Sequence, residues 1–166
     1  MKRKPGDKDT DKAKPSAYSK AMGLLARREH SRRELRQKLD RGGYARDEAG
    51  EALDRLGEQH YQDDERFAEM LIRSRSAQGY GPMRLRAELK SHGLSDARIR
   101  SLLDAADTDW TTSAAAQLRR RYGSTGTADP AERVRRAQFL LRRGFPAATV
   151  RHVTHADVDD AADETP

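Results

Sequence analysis

Residues 61–93 read YQDDERFAEMLIRSRSAQGYGPMRLRAELKSHG, and this stretch decides the fold. Asp63 or Asp64 can cap a helix, because a short carboxylate accepts the orphan amide hydrogens of a first turn. Phe67, Leu71 and Ile72 follow at helical spacing, with Arg66, Arg73 and Arg75 on other faces. Gly79-Tyr80-Gly81 breaks that helix. Pro82 restarts one, since proline at the first helical position gives up no bond that was being made. Leu85 and Leu89 mark the next apolar face, and Gly93 closes it by supplying a left-handed cap. The stretch is a helix, a tight corner and a second helix.

The same plan recurs on both sides. With Gly43, Gly93 and Gly144 in register, the residue four before is Leu39, Leu89 or Leu140, and the residue six after is Ala49, Ile99 or Val150. Eight before stand Leu35 and Leu85, and Arg136 breaks the match. A period of about 50 residues predicts three copies of one three-helix unit, none of which buries enough to stand alone. The predicted helix starts are Ser16 for a helix to about Arg28, Ser31 with Glu34 as a reciprocal capping box, Asp109 or Thr108, and Asp129-Pro130 with Glu132 as a second box. No segment alternates with period two over a useful length. The expected architecture is all-α: three tandem three-helix, helix-turn-helix-like repeats in an elongated, curved array. Residues 1–15 are expected as a disordered basic tail, 16–58, 59–107 and 108–154 as the repeats, and 155–166 as an acidic C-terminal tail.

Composition pulls the other way. Leu, Ile, Val and Phe make up only about 14% of the chain, a level at which disorder competes with folding, while charged residues make up 36%. Helical periodicity outweighs this, and it predicts a thin, Ala-rich core. Without cysteine, disulfides and thiolate metal sites are excluded. No apolar run approaches a membrane span, and the basic start lacks the apolar region of a signal peptide, so a cytoplasmic protein is expected. The net charge is +6, unevenly placed. Residues 1–15 carry six Lys or Arg against three Asp, and residues 155–166 carry five acids and no Lys or Arg. The body between them is therefore strongly cationic, a field that attracts polyanions.

Catalysis finds no constellation. There is no Gly-Lys-Ser/Thr phosphate loop and no His-Glu-x-x-His spacing. His92 and His152 sit near predicted helix ends, where a surface or dipole role is ordinary. Asp63-Asp64-Glu65 reads as caps rather than a metal cluster, and the serines lack a neighbouring base. Neither a cofactor nor a metal is expected. What remains is basic helical surface. Arg73, Arg75, Arg84, Arg86 and Lys90 surround the central corner, with one of Arg84 and Arg86 expected to pair with Glu88. The third copy adds Arg119, Arg120, Arg121, Arg133, Arg135, Arg136, Arg142 and Arg143 against only Asp129 and Glu132. The predicted third helices (46–57, 95–106 and 146–154) offer mostly acids, Ala and scattered Arg, a poor surface for reading base edges.

The motif Tyr61-x-Asp63-x3-Phe67-Ala68, Arg73, Gly79-x-Gly81-Pro82, Glu88-Leu89-x3-Gly93 resembles the central motif of the RecX family. Arg27-x-x-His30-Ser31-x-x-Glu34-Leu35-x-x-Lys38-Leu39 is similar to its N-terminal motif. Asp109-Trp110, Arg121-Tyr122-Gly123 and Phe139-Leu140-Leu141-x-Arg143-Gly144-Phe145 resemble its C-terminal one, so the likeness spans about residues 17–153. The resemblance implies a non-enzymatic regulator that binds RecA filaments on single-stranded DNA and restrains strand exchange, ATP hydrolysis and co-protease activity. It would touch recombination, DNA repair and the SOS response. Non-specific contact with single- or double-stranded DNA and a monomeric state are expected. The alternative is a helix-turn-helix DNA-binding protein acting without RecA.

Overall fold

The computed structural model describes residues 13–123 and 128–156, so most of the two expected tails lies outside the described residues. The described chain is helical, without a strand: α1 (Ala17–Leu25), α2 (Arg32–Arg41), α3 (Arg46–Glu58), α4 (Asp64–Ala77), α5 (Pro82–Ser91), α6 (Asp96–Ala105), α7 (Trp110–Tyr122), α8 (Pro130–Arg142) and α9 (Ala147–Thr154). Side-chain oxygens of Ser16, Ser31, Asp63, Ser95, Asp109 and Asp129 each accept an amide hydrogen of the turn they start. Gly43, Gly93 and Gly144 all adopt positive φ, 71°, 90° and 89°, which turns the chain from each second helix into each third.

The helices pack in threes. α1–α3, α4–α6 and α7–α9 each enclose a hydrophobic core of their own. Positions in register behave alike: Leu39, Leu89 and Leu140, and Ala49, Ile99 and Val150, are all fully buried. Alanine supplies Ala17, Ala21, Ala49 and Ala52 of the first core, so that core is thin. Each third helix is followed within two residues by a non-glycine residue with positive φ, namely His60, Asp107 and His155. These helices shorten along the chain, from 13 to 10 to 8 residues.

Several local expectations change. α1 stops at Leu25 rather than near Arg28, because Ala26 and Arg27 bond back to Met22 and Leu24 in a tightening last turn. Neither capping box is reciprocal. Ser31 and Asp129 cap, but Glu34 turns to Arg28 and Lys38, and Glu132 turns to Arg136. Glu88 pairs with Arg75 instead of Arg84 or Arg86. At the segment boundaries, Lys14 lies over the Tyr44 ring and donates to Gly43 O, and Ala156 is buried against the third core.

The units join through the same positions twice. At the first joint, Ser31 at the start of α2 meets His92 at the end of α5, Oγ to Nδ1 at 2.7 Å. Arg32 N donates to Asp64 Oδ1 at 2.8 Å, and Arg66 Nε donates to Glu29 Oε1 at 2.9 Å. At the second joint the corresponding start of α5 meets the end of α8. Gly81 N donates to Arg143 O at 2.8 Å and Met83 N to Gly144 O at 2.9 Å. The orphan donors of one helix thus satisfy the orphan acceptors of another. Gly81 has an ordinary φ of −89°, so conformational freedom is not its role. A Cβ there would run into the Gly144 carbonyl and stand 2.6 Å from Phe145 N. Trp110, following the cap of α7, packs against both the second and third cores.

His92 is therefore not a surface histidine. Its ring lies tilted against that of Phe67, centres 4.6 Å apart, and burial pulls its pKa below 6.5. His30 is 3% exposed and likewise lowered by burial, partly offset by Glu34, whose Oε2 lies 3.0 Å from its Nδ1. Burial pushes the Glu34 carboxyl upward, but the Arg28 hydrogen bond and His30 outweigh it and hold the pKa at about 2.

Two outcomes test this architecture. Gly81→Ala should cost roughly 1–3 kcal/mol through overpacking, read by urea denaturation. Gly23→Ala, at a helical position where a Cβ meets nothing within 4 Å, should gain about 0.5–1 kcal/mol. Equal effects would remove the close-approach role of Gly81. Second, the unfolded chain takes up a proton at Glu34 near pH 4.5 while the folded chain keeps it ionised to about 2. Its contribution is present above pH 4.5 and lost as pH falls toward 2. Thermal midpoints of Glu34→Gln should therefore fall less steeply over that window than those of the parent protein.

Candidate nucleic-acid interface

The second joint brings arginines and aromatic rings together. Arg84 lies 4.1 Å and Arg143 5.0 Å from the centre of the Tyr80 ring. Arg143 also reaches the Phe139 ring at 5.4 Å, where Arg121 approaches to 4.7 Å. Arg121 and Arg136 both lie over Tyr122, at 5.7 and 5.0 Å, and Tyr122 meets Phe139 edge-on at 6.1 Å. The result is a continuous ladder, Arg84–Tyr80–Arg143–Phe139–Arg121–Tyr122–Arg136, crossing from α5 to α8 and α7. Beside it, Gln117, Arg120, Arg121, Phe139 and Arg143 line an open groove of about 180 Å³.

The ladder is built by helix ends. Arg143 follows α8 directly, and its Nη1 donates to Gln78 O at 2.8 Å, which ties it to the last turn of α4. Gly144 lets the chain pass Arg84, since a Cβ there would stand 2.6 Å from Arg84 Cβ. Arg120 and Arg121 belong to the last turn of α7, where cations favour the carbonyl end of the helix dipole. Each ring holds a guanidinium against its electron-rich face, worth about 0.5–1 kcal/mol where exposed. That is enough to orient the arginines without neutralising them.

Of the residues singled out in sequence, the structure gathers Arg84, Arg120, Arg121, Arg136 and Arg143 here. Arg119 and Arg142 are exposed in the last turns of α7 and α8. Others lie elsewhere. Arg75 is committed to Glu88, and Lys90 pairs with Asp96 at 3.1 Å. Arg73 borders a mostly apolar hollow with Ile72, Leu102 and Ala106. Arg86 and Arg135 are exposed on α5 and α8. Arg136 occupies the register position of Leu35 and Leu85, and resolves that break by lying over Tyr122 and pairing with Glu132. The rings were missed in sequence. Their signal was present: Tyr80 precedes Arg84 by four residues, Phe139 precedes Arg143 by four, and Tyr122 follows Arg121.

Neighbouring guanidiniums that share a ring lie within about a Debye length, roughly 10 Å, so they repel each other unless a polyanion bridges them. Arginine suits phosphate because its planar fork presents several donors at once. The rings are faced by arginine rather than open, so the surface offers charge more than a base-stacking platform. One serine does have a base beside it, contrary to the sequence reading. Ser31 meets His92, but Ser31 is fully buried and its oxygen also accepts from Glu34 N, which makes the pair a joint. Among the described residues no group of three His, Asp or Glu side chains could hold a metal ion, and no helix is long and apolar enough to cross a membrane.

Comparison with known proteins agrees with the threefold plan. Family models described as the first, second and third three-helix domains of RecX match residues 17–56, 63–103 and 107–154. A regulatory protein RecX of Xanthomonas axonopodis pv. citri is 45% identical over 141 residues, covering 85% of this chain and 87% of that protein. One from Stenotrophomonas maltophilia (strain R551-3) is 46% identical, covering 85% and 86%. The crystal structure of RecX from Lactobacillus salivarius superposes with a TM-score of 0.67 at 20% identity, covering 88% of this chain and 94% of that one, which bears on the fold alone.

If the ladder takes phosphates, Arg120→Ala with Arg121→Ala should weaken binding of a single-stranded oligonucleotide. It should also flatten the slope of log affinity against log salt by about 1.4, two contacts at about 0.7 each. Arg86→Ala with Arg135→Ala, away from the ladder, should change the slope far less. Equal changes would show only diffuse charge.

Proposed function

The chain belongs to the RecX family, and from that membership we propose that it regulates RecA by binding RecA and RecA filaments on single-stranded DNA. In this reading it restrains the recombinase, ATPase and co-protease activities of the filament, and so modulates homologous recombination, DNA repair and the SOS response. It makes and breaks no bonds itself, needs no cofactor, and works as a monomer in the cytoplasm.

The arginine–aromatic ladder carries this reading, because it bridges two units of a serial array. A filament is itself a serial array. Three linked units can engage successive protomers, and weak contacts then add through effective concentration. The ladder, with Arg119 and Arg142, supplies a salt-sensitive contact to the DNA the filament carries. Arg75 and Lys90 already have carboxylate partners and contribute less. A freestanding helix-turn-helix reader has weaker support, because α6 interleaves its exposed Arg98 and Arg100 with exposed Asp96 and Asp104, which repel a phosphate backbone.

Mixed at stoichiometric amounts with RecA–single-stranded DNA filaments, the protein should lower ATP turnover severalfold, and Arg120→Ala with Arg121→Ala should blunt that effect. Unchanged turnover would remove the proposal. Protection of a defined site on naked duplex would favour the freestanding reader.

A further inference from the structure

Among the described residues Arg84, Arg120, Arg121 and Arg143 have no carboxylate within ion-pair distance, whereas Arg136 is paired with Glu132, and the chain carries acidic residues immediately beyond the last core. Residues 157–166 (DVDDAADETP) contain Asp157, Asp159, Asp160, Asp163 and Glu164 and no cation. They leave from Ala156, which is 4% exposed and belongs to the same core as Phe139, the ring at the centre of the ladder. Tyr122 packs against that core too. A three-helix unit is roughly 20 Å across, and ten residues reach about 33–36 Å, so every rung lies within range. Asp157, Asp160 and Asp163 recur every three residues, about 10 Å in an extended segment.

We infer that the ladder is an acidic-peptide site whose occupant is the chain's own segment 157–166, bound across Arg84, Arg120, Arg121 and Arg143 in competition with nucleic acid. Tethering sets the local concentration of the segment in the millimolar range, so even weak carboxylate–guanidinium contacts occupy the site at moderate salt. An incoming strand must displace carboxylates where it would otherwise displace counterions. That lowers apparent affinity and flattens the salt dependence. It also sharpens selectivity, since a short or sparsely charged ligand cannot displace the segment and a continuous phosphate chain can. The inference rests on the reading of the ladder as a polyanion site, and its test is arranged so that the two can fail separately.

The chain has no cysteine, so Thr165→Cys in the full-length protein takes a single nitroxide label. At low salt the label should broaden the side-chain Nε–H signals of Arg84, Arg120, Arg121 and Arg143, and leave that of Arg33 in the first unit sharp. The broadening should vanish at about 0.5 M salt, where the Debye length is only a few ångströms. It should also vanish when the five acids are replaced (D157N, D159N, D160N, D163N, E164Q). Without the label, the same replacements should tighten binding of a single-stranded oligonucleotide roughly 3–10-fold and steepen its salt slope. No broadening at the ladder, or equal broadening at Arg33, would overturn the inference. Broadening in a protein that binds no oligonucleotide would support the docking and overturn the nucleic-acid reading of the ladder.

Discussion

The structure depends on a match between helix ends. α5 begins with amide hydrogens that no side chain caps, and α8 ends with carbonyls that have no further turn to accept from. Placed end to end, each supplies what the other lacks. The geometry favours glycine at position 81, because a Cβ there would press into the carbonyl of Gly144. Backbone makes most of this joint, and Arg143 Nη1 adds a side-chain bond across it to Gln78 O. Arg84 and Arg143 turn outward onto Tyr80, and the cationic ladder follows from that.

The first joint solves the same problem in different chemistry. Ser31 stands where Gly81 stands, and His92 takes the place of Arg143. A side chain takes part in each of these contacts: Asp64 accepts from Arg32 N, and Gln62 donates to His30 O. Burial of His30 and His92 keeps both below their ordinary pKa, and Glu34 is held ionised by Arg28 and His30. The first joint thus carries buried imidazoles, while the second is made largely of backbone and bears the charged surface. Thin cores make both joints necessary, because a three-helix unit with four alanines among its buried residues gains little from packing alone.

How far the sequence could be read follows from the range of each signal. Caps, corners and apolar stripes are local, and the start of α4 at Asp63 or Asp64, Gly93 and the Leu39–Leu89–Leu140 series could be placed because each is decided within a few residues. The capping boxes failed at Glu34 and Glu132 because an arginine competed for each carboxylate. Arg28 lies six residues from Glu34, and Arg136 four from Glu132. The candidate arginines were found by counting, which cannot say that Arg75 is held by Glu88 while Arg121 faces a ring.

By itself the sequence determined the helical class, the threefold period and the excess of cations in the third unit, since periodicity and composition survive without knowledge of any contact. The tertiary structure decided which cations act together and why Gly81 and Gly144 lie against backbone that a side chain would crowd. Tyr80 and Phe139 lie 59 residues apart in the chain and share Arg143 only because α8 ends where α5 begins. Such a meeting is a property of how units stack, and no single unit encodes it.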